Sequence, residues 1–138
     1  MTRPRDEAYD QVGMQLDHMI LPVRDADESV EFYRSVLGCE FEGSDGPFSV
    51  MRVTPDFVLL LAPWGTDGGT HLAFALSKPA FDATFARVRE RGMKYGDGPH
   101  DADNMHGPGI EFGARGSGAA LYFFDPNEHL LEIRHYEE

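Results

Sequence analysis

His18, His71 and Glu132 are two imidazoles and a carboxylate, and each falls on a short apolar stretch: LDHMILPV (16–23), THLAFAL (70–76) and HLLEIRHY (129–136). Brought together, such a trio holds a divalent cation through protein ligands and leaves coordination positions free for a substrate. The cation then serves as a Lewis acid for developing negative charge. The three stretches are far apart in the chain, so a shared site depends on the fold.

Each stretch reads as a strand, and strand side chains alternate between faces. Met19, Leu21 and Val23 face away from His18, which shares its side with Ile20 and Pro22. Leu72, Phe74 and Leu76 oppose His71, which sits with Ala73 and Ala75. Leu131 and Ile133 oppose Glu132, which sits with Leu130 and Arg134. The bulky sets suit packing against helices, and the sides carrying the polar groups suit a lined cleft. His129 and His135 fall opposite Glu132 and read as structural.

The elements that must position these residues form an internal repeat. With His18 set on His71, Phe32 matches Phe85, Arg34 matches Arg87, and Gly38 falls one place from Gly92. In the first half Asp25 or Asp27 caps a helix whose Val30, Tyr33 and Leu37 recur at helical spacing, with Gly38 as the stop. In the second, Ser77 caps, Pro79 sits in the first turn, and Phe81, Phe85 and Val88 form the buried stripe ahead of Gly92. Strand candidates follow each helix: CEFEG, PFSVMRV (47–53) and DFVLLLAP (56–63), then KYG, GAALYFFD (118–125) and the Glu132 strand. The expected fold is α+β: two βαβββ modules (16–63 and 69–136) in one domain over 16–136, forming a curled mixed sheet around a cleft, behind a polar tail at 1–15. Residues 97–117 read as a long glycine-rich loop, either a functional segment or a plain insertion. His106 in NMHGPG is its candidate lid residue.

Composition narrows the partners. The chain has 138 residues, 41% hydrophobic, enough for one compact domain with a real core. Twelve basic residues against 24 acidic ones give a net charge of -12, which repels a nucleic-acid backbone or an anionic membrane surface. The lone Cys39 reads as a small buried or half-buried side chain. With no signal-peptide core and no apolar run near the ~20 residues of a membrane span, the expected setting is cytoplasmic.

The segments DHMILPVRDADESVEFYRSVLG, THLAFAL and YFFDPNEHLLEI resemble the vicinal oxygen chelate superfamily, also called the glyoxalase, bleomycin resistance protein and dioxygenase family. The resemblance spans about residues 16–136. It implies paired βαβββ modules around a divalent metal (Fe, Mn, Ni, Co or Zn) held by His18, His71 and Glu132, and a cleft completed in a homodimer. It also implies a small oxygen-chelating substrate. Tyr122 matches a tyrosine found ten residues before the ligand glutamate in fosfomycin-resistance thiol transferases and extradiol dioxygenases, and is the candidate catalytic residue. Ile20, Ala73, Phe124 and Arg134 are the candidate substrate contacts, with Arg134 placed to pair with an anionic group or to face solvent.

Departures from the family pattern are informative. Glyoxalase I enzymes place a second carboxylate where this chain has Leu60. Ring-cleaving dioxygenases carry further histidines where this chain has Phe57 and, nineteen residues before the glutamate, Gly113. The ligand layout is nearest that of the fosfomycin-resistance thiol transferases, which have a threonine at the position of Ile20. The leading expectation is a metal-dependent enzyme, of lyase, transferase or dioxygenase type. The alternative is a metal-free binding protein of the bleomycin-resistance kind, whose acidic balance would favour a cationic ligand.

Overall fold

A computed structural model describes residues 13–136. The tail expected at 1–15 lies outside that range except for its last three residues. The first module runs β1 (His18–Pro22), α1 (Ala26–Ser35), β2 (Glu40–Asp45), β3 (Phe48–Thr54) and β4 (Phe57–Ala62). The second runs β5 (His71–Ala75), α2 (Lys78–Glu90), β6 (Gly109–Gly113), β7 (Gly116–Phe124) and β8 (Leu130–Tyr136). Each module makes one four-stranded mixed sheet, ordered β1-β4-β3-β2 and β5-β8-β7-β6. In each, the first strand runs parallel to the last and the other pairs are antiparallel. The repeat seen in the sequence is therefore a repeat of topology.

Local chemistry sets the helix ends. Asp25 accepts from the Glu28 amide at the start of α1, and Ser77 accepts from Ala80 at the start of α2. Gly38, at φ +79°, lets the chain leave α1 in a conformation that costs a residue with a Cβ. The buried side of α1 is Ser29, Phe32 and Tyr33, continued by Val36, whereas Val30 and Leu37 are only partly buried. The actual stripe is thus rotated from the expected Val30, Tyr33 and Leu37. In α2 the expected Phe81, Phe85 and Val88 are buried, joined by Thr84.

Both helices and the bulky faces of both sheets share one core. Leu21, Leu59 and Leu61 of the first sheet and Leu121, Phe123, Leu131 and Ile133 of the second belong to the same cluster as Phe32, Tyr33, Phe81 and Phe85. The opposite faces are exposed along β1 and β5, with Ile20 40% exposed; on the second sheet Phe124 is 47% exposed, while Ala120, Tyr122, Glu132 and Arg134 are buried. The two sheets do not close into one curled sheet around a cleft within the chain.

Two expectations need correction in the second module. KYG forms no strand: Tyr95 stacks edge-on against Phe85, and Gly96 makes an isolated bridge to Tyr122 at the edge of β7. The strand at that edge comes later, as GIEFG inside the 97–117 segment, paired in register from Gly109↔Ala120 to Gly113↔Gly116. The rest of the segment is anchored. Asn104 donates to Asp97 at 2.8 Å, and Ala102 is buried against Tyr122, Ala120 and Leu130. No helix among the described residues is long and apolar enough to cross a membrane.

Candidate metal centre

Strands β5 and β8 run parallel with Ala73 opposite Glu132, and β7 places Tyr122 opposite Glu132 on its other side. Alternation puts His71, Ala73, Tyr122, Glu132 and Arg134 on the open face of the second sheet. His71 Nε2 lies 3.0 Å from Glu132 Oε1. The second carboxylate oxygen, Oε2, accepts from Arg134 Nη1. Glu132 is 6% exposed and Arg134 3% exposed, so this is a buried charge pair with a half-exposed imidazole at its free end. A cavity of about 300 Å³ borders Glu132 and Arg134 and is walled by Ala73, Ala75 and the β6–β7 turn.

Tyr122 is almost fully buried, its ring centroid 6.3 Å from that of His71. Burial, reinforced by the Glu132 charge, pushes its phenol up to about 12. It therefore stays protonated at neutral pH and can donate a hydrogen bond. Phe124 lies two residues farther along β7 on the same face and is 47% exposed.

His18 stands elsewhere, on the open face of the first sheet with Ile20. Its Nδ1 is 2.7 Å from the Asp17 carboxylate, which leaves Nε2 as the nitrogen available to a ligand. Ligating histidines commonly give their other ring nitrogen to a carboxylate in this way. Among the described residues no three His, Cys, Asp or Glu side chains gather closely enough to hold a metal ion. One chain thus brings together His71, Glu132, Tyr122 and Arg134, and sets His18 and Ile20 on a different sheet.

Arg134 is not solvent-facing. Besides Glu132 it donates to the Phe112 carbonyl at 3.3 Å and to the Glu111 carbonyl at 2.7 Å. His106 and His100 are exposed, while Ala102 of the same segment packs beside Tyr122. Asp17 was not singled out in the sequence, although its adjacency to His18 is the signal that could have found it.

The family model described as Glyoxalase/Bleomycin resistance protein/Dioxygenase superfamily matches residues 15–133. The chain belongs to this superfamily. Among curated relatives it is similar to "Metallothiol transferase FosB" of Shouchella clausii (strain KSM-K16), 28% identical over 127 residues that cover 86% of this chain and 77% of the relative. Among solved structures it is similar to "Oxidase ChaP-H2", 31% identical with a TM-score of 0.77, covering 90% of this chain and 94% of the other. The same fold occurs in TnmS3, an antibiotic binding protein from Streptomyces sp. CB03234, at 21% identity and a TM-score of 0.66, over 90% of this chain and 97% of that one. By its description the superfamily takes in glyoxalases, bleomycin resistance proteins and dioxygenases.

Proposed function

We propose that the protein is a divalent-metal-dependent enzyme acting on a small oxygen-chelating molecule. Its centres are shared between two copies of the chain, each built from His71 and Glu132 of one protomer and the partner subunit's His18. The carrying observation is the Nε2 to Oε1 approach of His71 and Glu132. An imidazole nitrogen and a carboxylate oxygen converge there on one half-open point, beside a tyrosine that keeps its proton. That donor chemistry fits Fe, Mn, Ni, Co or Zn. The missing imidazole and the two open sheet faces support completion by a homodimer, since a closed assembly can seat one open face on the other.

When bound, the metal supplies Lewis acidity for a substrate oxygen gaining negative charge. The chain's own residues do the rest. Tyr122 donates a hydrogen bond to that oxygen and stabilises its charge in a site of low polarity. Ala73 keeps the floor beside Glu132 low, and Ile20 and Phe124 supply apolar contact from the two sheets. Lyase, transferase and dioxygenase chemistry can all begin from such a complex.

The rival is a metal-free binder, favoured by the net charge of -12 and the exposed Ile20 and Phe124. Elemental analysis of the purified protein beside His71→Ala separates the two. The enzyme reading expects about one metal per chain, lost in the variant. No metal in either protein, with tight binding of a cationic planar drug, would establish the binder instead.

A further inference from the structure

Arg134 and Gly113 stand in a relation that neither residue shows alone. The guanidinium makes three hydrogen bonds to protein acceptors: Glu132 Oε2, the Phe112 carbonyl and the Glu111 carbonyl. Both carbonyls belong to β6, the outermost strand of the sheet. The Arg134 Nε is buried with no partner. It faces the slot that a side chain at position 113 would fill, for a Cβ there would come within 2.4 Å of Arg134 Cζ and 2.6 Å of Nε. A side chain at 113 forces both the guanidinium and the Tyr136 hydroxyl, which a Cβ would approach to 2.6 Å, to shift.

We propose, resting on the metal-centre reading above, that Arg134 is the positioning residue of Glu132. By pinning Oε2 it presents Oε1 alone to the metal, and Gly113 is the complementary residue that makes room for it. Arginine is needed because its planar fork reaches a carboxylate and two carbonyls at once, which a lysine ammonium does not do in a fixed plane. An unpinned carboxylate would be free to turn both oxygens toward a cation. A one-oxygen Glu132 keeps an additional coordination position for the substrate. Its charge is also partly balanced by Arg134, so the centre retains more positive character and favours an anionic chelate such as an enolate or catecholate. With three of its donors held by Glu132 and the β6 carbonyls, the guanidinium is fixed in place, and it acts on the centre through Glu132.

Titration with Co(II) alone, read by affinity and by the visible absorption of the bound ion, tests this role without any catalytic assay. Outer-sphere partners of metal ligands are typically worth 10–100-fold in affinity. Arg134→Gln is therefore expected to change Co(II) affinity about tenfold or more and to alter the spectrum as the freed carboxylate turns both oxygens to the ion, and Arg134→Lys to reverse part of the change. Gly113→Ala, which keeps both charges while its Cβ crowds the guanidinium and the Tyr136 hydroxyl, should shift the spectrum in the same direction, and with Arg134→Lys it carries the test if Arg134→Gln does not fold. Variants that fold and bind Co(II) with wild-type affinity and spectrum overturn the role while leaving the metal centre standing. A wild-type protein that takes up no Co(II) overturns the centre, and this role with it.

Discussion

Two buried hydroxyl and thiol groups tie stability to alkaline pH. The Tyr33 phenol donates to Asp125 at 2.7 Å from a fully buried position. Burial first, and then the Asp125 charge, hold it well above the usual tyrosine range. Burial also pushes the Cys39 thiol up to about 11. Both groups are neutral in the folded state over a pH range where the unfolded chain has already lost its protons. An unfolded chain that binds fewer protons makes stability fall with rising pH. Denaturation midpoints should therefore hold up to about pH 9 and decline from pH 9 to 11 as Cys39 contributes, more steeply above pH 10 where Tyr33 joins. Tyr33→Phe and Cys39→Ala should each flatten that decline in urea titrations. Cys39 should also resist aromatic disulfide reagents at pH 8 until the chain is unfolded, because the thiolate is the reactive form. Burial of Cys39 was legible from its place after a helix-ending glycine. The tie of Tyr33 to Asp125 was not, because the partners are 92 residues apart.

At the scale of elements, the β7–β8 turn is the knot that joins the modules. Asp125 Oδ1 accepts from the amides of Asn127 and His129, while Asn127 bonds Ser29 and the Arg24 amide in the first module. His129 is fully buried; its Nδ1 accepts from the Thr70 amide and its Nε2 donates to the Pro22 carbonyl. One side chain therefore links the end of β1, the start of β5 and the start of β8, the strands that carry His18, His71 and Glu132. Leaving buried polar groups unmatched costs about 1–3 kcal/mol each, so His129→Leu should lose about 2–5 kcal/mol in chemical denaturation. His129→Gln, which can both donate and accept, should lose less. The same scale shows what a sequence hides. Alternation read the strands correctly where one face was bulky and packed on the core, as in β1, β5 and β8. It failed on β6, whose Ile110 and Phe112 are 71% and 86% exposed at the sheet edge and whose glycines leave no core-facing pattern. The knot was invisible as a knot because its decisive partners are backbone atoms of Pro22, Arg24 and Thr70.

For the whole molecule, phase within a strand could be read from the chain, but the placing of one sheet against another could not. Alternation put His18, His71 and Glu132 on the faces away from the bulky core residues, and the structure places them there. Nothing in a linear pattern states whether two open faces meet within one chain or between two. Helices α1 and α2 and the bulky faces of both sheets pack into one core, which turns the open faces outward and leaves His18 apart from the pair it would complete. A centre shared between subunits has a consequence that no centre within one chain can imitate. His18→Ala and His71→Ala proteins should each be devoid of metal as pure dimers. Mixed under conditions that exchange subunits, they should regain it, because a hybrid dimer unites an intact His18 from one chain with intact His71 and Glu132 from the other. Its second site lacks both imidazoles. Random exchange makes half the dimers hybrid with one good site in two, so the mixture should recover about a quarter of the wild-type metal content. Elemental analysis after exchange and desalting reads this directly. A mixture as empty as its parents, in a wild-type protein that does bind metal, would mean that each chain completes its own centre.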